Sequence, residues 1–168
     1  MENKMMNVSV VMATYNGDKY IKEQLDSIMC QLSNEDELIV SDDGSSDSTC
    51  EIINEYKNNY KNIRLFNSNH LGASKNFLKA IHYSKNDIII LSDQDDIWEK
   101  DKISKTKKYF ENNENIKVML HNFTLIDING NAIDNTLKIR YHHGYFTNII
   151  RSCYWGCAMA IKKIFRYA

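Results

Sequence analysis

At 168 residues, 43% hydrophobic and 26% charged, the chain suits a single globular domain able to bury a real core. A net charge of −1 argues against an electrostatic nucleic-acid binder, and no apolar run approaches the roughly 20 residues of a transmembrane segment. Met1 to Asn7 lacks the basic-then-apolar plan of a signal peptide, and Cys30, Cys50, Cys153 and Cys157 form no CxxC pair, which favours buried free thiols in a reducing cytoplasm over a zinc site.

Val8 to Ala13 reads as a first strand, and Lys19 to Cys30 as a helix with Ile21, Leu25, Ile28 and Met29 on its apolar face. Between them, Thr14 and Asn16 offer hydrogen bonds and Tyr15 offers a ring to lie against a base or sugar. The same stretch also reads as an Asn-Gly turn leading into a helix cap. Glu37 to Val40 gives a second strand, followed by Asp42-Asp43-Gly44-Ser45-Ser46-Asp47 and a helix with Ile52, Ile53 and Tyr56 inward. Asp47 or Ser46 suits the helix cap. Capping does not account for the pair Asp42 and Asp43, and carboxylates at a strand end can accept an imide N–H or ribose hydroxyls.

Ile63 to Phe66 is a third strand and Ala73 to Tyr83 a third helix. Lys75 sits near that helix's N-terminus, a position suited to anions, although a plain surface lysine fits as well. The fourth strand, Ile88 to Leu91, stops in Ser92-Asp93-Gln94-Asp95-Asp96-Ile97-Trp98. Two carboxylates about 5 Å apart repel by about 3 kcal/mol at an effective dielectric near 20. A hard divalent cation such as Mg²⁺ or Mn²⁺ relieves that repulsion and takes one or two carboxylates together with substrate phosphates. A solvated acidic turn capping the next helix is the plainer alternative. Asp101 to Asn112 then looks helical, Lys117 to Leu120 like a strand, and Thr124 to Ile133 like a hairpin turning at Asn129-Gly130. Trp155 to Ile161 resembles a strand, and Lys162 to Tyr167 begins a helix.

Strands alternating with helices imply an α/β fold: a mostly parallel sheet with helices on both faces and ligands at the carboxyl ends of the strands. No GxxxxGK[ST] is present, and no GxGxxG follows the first strand. A metal, rather than a glycine loop, is therefore expected to neutralise phosphates.

Together these stretches resemble the family-2 glycosyltransferases, inverting enzymes with a GT-A type nucleotide-binding fold. The opening strand and Thr14-Tyr15-Asn16-Gly17, the Asp42-Asp43-Gly44-Ser45-Ser46-Asp47 signature and His70-Leu71-Gly72-Ala73-Ser74-Lys75-Asn76 match in order and spacing. Ser92-Asp93-Gln94-Asp95-Asp96-Ile97-Trp98 is similar to the DxD element of bacterial rhamnosyltransferase-like members, and Gly156-Cys157-Ala158-Met159-Ala160 to the acceptor-side strand. The resemblance implies one donor-binding domain over residues 1–168. Its nucleotide-sugar site would comprise Thr14, Tyr15, Asn16, Asp42, Asp43, Lys75, Asp93 and Gln94, with Asp95 and Asp93 on Mg²⁺ or Mn²⁺ and Asp96 either a further partner of the metal or a cap on the next helix.

A UDP- or dTDP-sugar donor and a saccharide or lipid-linked acceptor are the implied partners, in cell-envelope or capsular polysaccharide synthesis. The implied location is cytoplasmic, or peripheral at the inner face of the membrane. The family's general base is expected beyond Ala168, which leaves a non-catalytic nucleotide-sugar-binding fragment as the alternative. Apolar surface left open at a shortened C-terminus favours a homodimer.

Overall fold

The computed structural model describes residues 6–127, 130–133 and 158–163. Its elements run β1 (Val8–Thr14), α1 (Ile21–Met29), β2 (Glu37–Asp42), α2 (Thr49–Asn59), β3 (Ile63–Asn67), α3 (Ala73–Tyr83), β4 (Ile88–Ser92), α4 (Lys102–Asn112), β5 (Val118–Leu120) and β6 (Met159–Lys162). The sheet order is β3-β2-β1-β4-β6-β5. β1 to β4 are mutually parallel, and β6 runs antiparallel to both of its neighbours. The mostly parallel sheet expected from the alternation is present.

The two-residue period of the central strands decides which face each helix covers. Val8, Val10 and Met12 of β1, Leu38 and Val40 of β2, and Ile88 and Ile90 of β4 form one core. Ile21, Leu25 and Ile28 of α1, Ile53 of α2, and Ile103 and Phe110 of α4 close it. The intervening residues Val11, Ile39, Ile89 and Leu91 face the other way, onto Ala80, Phe77 and Ile81 of α3. Among the described residues three helices thus lie on one face and one on the other. Burial on both faces explains why these strands read as continuous apolar runs.

Most sequence boundaries hold to within two residues, with β2 running on to Asp42 because Asp42 pairs with Thr14. The expected last strand is displaced. Pairing of Ile88 with Lys162 and of Ile90 with Ala160 makes β6 span Met159–Lys162, so Lys162 ends a strand instead of starting a helix. Trp155 to Cys157, with Cys153, and the remainder of the expected terminal helix from residue 164 lie outside the described residues. Cys30 is exposed and Cys50 half-buried, so these two thiols correct the expectation of buried cysteines. The hairpin is seen in the bridge between Ile126 and Ala132, with Asp127 accepting the Gly130 amide.

Candidate donor-binding site

From β1 the chain moves outward through β2 and β3, then returns to β4 on β1's other side. That reversal leaves a crevice beyond the carboxyl ends of β1 and β4, where open α/β sheets bind ligands. A cavity of about 570 Å³ lies there, lined from the ends of all four parallel strands: Thr14 and Tyr15 after β1, Asp43 after β2, His70 after β3, and Asp93, Gln94 and Asp95 after β4. Ala73, Asn76 and Phe77 of α3 form another wall.

The first half of the β1–α1 loop is held by side chains from other segments, and its second half by the Tyr20 and Ile21 amides donating to the Gly17 carbonyl. Four consecutive amides donate to those side chains: Tyr15 to Gln94 Oε1 (2.9 Å), Asn16 to Ser45 Oγ (2.9 Å), Gly17 to Thr49 Oγ1 (2.8 Å) and Asp18 to Asp47 Oδ2 (3.1 Å). Asn16 accepts the Ser46 amide in return, from a left-handed backbone (φ +48°) that asparagine tolerates. These amides are spent on holding the loop, so the first strand end presents no anion-binding nest. This agrees with its lack of a glycine-rich phosphate motif.

Asp42 and Asp43 divide the work. Asp42 is 1% exposed and accepts from Thr14 Oγ1 (2.8 Å), the Gly44 and Ser45 amides (3.1 and 2.8 Å) and the Ser45 hydroxyl. It shapes the turn behind the cavity. Burial pushes its carboxyl up, but the bonds from Ser45, Thr14 and Cys50 outweigh that and hold it below the ordinary value. Burial and the charge of Asp42 together push the Cys50 thiol up to about 11, so it stays protonated. Asp43 does line the cavity, and its two oxygens receive the Leu71 and Gly72 amides at 2.7 and 2.8 Å. It pins the β3–α3 loop and leaves His70 at the mouth, edge-on to Tyr15 with ring centroids 5.9 Å apart. Gly44 permits this placement: its φ is +90°, and a Cβ there would stand 3.2 Å from the His70 ring.

Tyr15 is half exposed (51%), which leaves ring surface free for a ligand. Asp93 and exposed Asp95 approach the cavity from either side of Gln94. Among the described residues no group of three His, Cys, Asp or Glu side chains is arranged to hold a metal. Two hard carboxylates fit a Mg²⁺ or Mn²⁺ ion that takes its other ligands from water and a bound diphosphate. Asp96 does not line the cavity, and α4 starts at Lys102 with Asp101 in the cap position, so the expected capping by Asp96 is absent.

Lys75 stands exposed on the first turn of α3, outside the cavity lining. His70, Asn76 and Phe77 line it as well; the first and second belong to the His70–Asn76 stretch that resembles the family, without being assigned to the site, and Phe77 carries no signal. Asn76 is buried and pairs its amide with both the carbonyl and the hydroxyl of Ser41, tying α3 to β2.

Comparison with known proteins places these observations in a family. The model described as "Glycosyl transferase family 2" matches residues 9–167. A dTDP-rhamnosyl transferase, RfbG of Shigella flexneri, is 44% identical over 98 residues, covering 55% of this chain and 34% of that protein. The crystal structure of S. aureus TarS 1-349 in complex with UDP-GlcNAc superposes with a TM-score of 0.65 at 27% identity, over 77% of this chain and 37% of that one. The mannosyltransferase PcManGT from Pyrobaculum calidifontis, in complex with GDP-Man and Mn²⁺, shares the fold at a TM-score of 0.68 and 19% identity, over 92% of this chain and 44% of that one. The chain spans less than half the length of each of these relatives.

Proposed function

The chain belongs to glycosyl transferase family 2, with the GT-A fold, and from that membership we propose that it binds a nucleoside-diphosphate sugar in the strand-end cavity for transfer to an acceptor hydroxyl. One observation carries the reading: an aromatic ring, a backbone-anchored carboxylate and two further carboxylates converge from separate strand ends on one cavity at the topological switch point. Tyr15 lies against the base or ribose, while buried Thr14 and Asp42 and bridging Asn16 keep the loops around it in place. Asp43 holds the β3–α3 loop and faces the nucleoside. Asp93 and Asp95 hold Mg²⁺ or Mn²⁺, which when bound offsets the negative charge that grows on the departing diphosphate.

A UDP- or dTDP-sugar donor is supported by the names of the relatives, one a dTDP-rhamnosyl transferase and one crystallised with UDP-GlcNAc. A saccharide or lipid-linked acceptor of the cell envelope, and a cytoplasmic or inner-membrane-face location, go with that reading. Among the described residues no helix is long and apolar enough to cross a membrane.

A second reading, donor binding without transfer, draws on one fact. The acidic residues lining the cavity are Asp43, Asp93 and Asp95, all assigned above, so among the described residues the cavity holds no further carboxylate to deprotonate an acceptor. Calorimetric titration with UDP and with dTDP, each with and without Mn²⁺, tests the donor site. Binding of one nucleotide that requires Mn²⁺ is expected, and absence of binding for both sinks the proposal. Release of nucleoside diphosphate from a matching donor and acceptor separates the transferase from the non-catalytic binder.

A further inference from the structure

The geometry points to a role for Gln94 that is not ligand binding: it is a positioning residue that holds Tyr15 in place, and Gly17 lacks a side chain to make room for its amide. Gln94 sits on the turn after β4, between Asp93 and Asp95. Its Oε1 accepts the Tyr15 amide at 2.9 Å and its Nε2 donates to the Tyr15 carbonyl at 3.1 Å. One primary amide is thus paired with both peptide groups of a single residue. The flipped orientation would set N–H against N–H and oxygen against oxygen, so the network fixes the amide's direction.

The position of this pair explains its use. The register between β1 and β4 ends at Met12 opposite Ser92, the last residue of β4. Gln94 carries the pairing beyond the last backbone rung, with a side chain standing in for a neighbouring strand. A second observation, independent of these bonds, concerns Gly17. A Cβ on it would fall 2.4 Å from Gln94 Oε1 and 2.5 Å from Gln94 Cδ, so the amide occupies the space that any side chain at position 17 would need. Tyr15 is then held on two sides, by Gln94 from β4 and by the His70 ring from the β3–α3 loop. The ring that would meet the nucleoside and the carboxylates that would meet the diphosphate are locked in one relative position.

This inference rests on the donor-site reading above, and its test separates the two. Amide hydrogen exchange at Tyr15 is measured in the ligand-free chain, and affinities for UDP, dTDP and inorganic pyrophosphate are measured with Mn²⁺. Gln94→Met, similar in length but without an amide, is expected to speed Tyr15 exchange about tenfold or more while the Val11 amide is unaffected. It should weaken the preferred nucleotide about tenfold and leave pyrophosphate within about twofold. Gly17→Ala should give the same pattern. The double variant Gly17→Ala/Gln94→Ala should bind no worse than Gln94→Ala, because the clash disappears with the amide.

Unchanged Tyr15 exchange overturns the inference. So does unchanged nucleotide affinity, or a loss for pyrophosphate as large as that for nucleotide. A parent chain that binds no nucleotide overturns the donor-site reading alone, and Tyr15 exchange that still responds to Gln94→Met then upholds the hold of Gln94 on Tyr15.

Discussion

The bonds to the Asp42 carboxylate come from close by: a hydroxyl of the adjacent strand, three donors of its own turn and the Cys50 thiol on the following helix. Its folded value lies below the ordinary 3.8, so the stabilisation is complete above that pH and is lost as pH falls through the lower folded value. Asp42→Asn, which turns one acceptor edge into a donor facing two hydroxyls, should cost about 1–3 kcal/mol in urea unfolding at neutral pH. Asp95 is the opposite case, exposed at the cavity. Asp95→Ala should abolish Mn²⁺-dependent nucleotide binding in calorimetry while the urea midpoint stays put or rises slightly. Retention of parent-like affinity would remove Asp95 from the metal site. The sequence pairs Asp42 with Asp43 as equals, and nothing in the string Asp-Asp-Gly-Ser separates them. Both are buried, and their roles differ because a side chain at a chain reversal competes for the nearest backbone donors, which are those of its own turn for Asp42 and those of the β3–α3 loop for Asp43.

The alternating elements were legible because four strands buried on both faces need unbroken apolar runs, and their helices need an apolar stripe. β5 and β6 carry less signal: they are short, antiparallel to each other and joined by a long stretch of chain. Where they meet α4, His121 forms the clamp. Its amide donates to the Ala158 carbonyl (2.7 Å), and its ring lies between that carbonyl (3.2 Å from Nδ1) and the Thr106 hydroxyl (2.9 Å from Nε2). Burial, with the positive charge of Lys102 adding to it, pushes the imidazole down to about 4, so it is neutral at pH 7. Between pH 6.5 and about 4 the unfolded chain binds a proton that the folded chain refuses, and stability falls as pH falls. His121→Asn should flatten that slope. The check compares urea midpoints at about pH 7 and about pH 5, where the parent should lose more than the variant. Asp36 and Asp42 titrate below their ordinary 3.8, so their contribution lies in a separate, more acidic window.

Across the whole molecule the two edges of the parallel sheet do different work. At the carboxyl edge, polar groups open into the cavity. At the amino edge, they are closed on one another: Asp36 accepts the Val8 and Ser33 amides and pairs with Lys107 at 2.7 Å, and Glu37 bonds Ser9 and pairs with Arg64 at 3.0 Å. The Asp36 side chain is wholly buried and that of Lys107 only 16% exposed, so removing one partner leaves a charge with little access to water. Asp36→Ala should therefore cost about 3–5 kcal/mol in urea unfolding, a large part of a domain's usual margin. Lys107→Met, which leaves Asp36 its amide and hydroxyl donors, should cost less. In either variant, under conditions where it remains folded, nucleotide affinity with Mn²⁺ should stay within about twofold of the parent, since neither side chain lies at the carboxyl edge. Asp95→Ala should show the reverse pattern, with binding lost and stability kept. The pair of variants thus tests whether this sheet separates its folding energy from its ligand chemistry by edge. A marked loss of nucleotide affinity in folded Lys107→Met would show that the two edges are coupled through the strands.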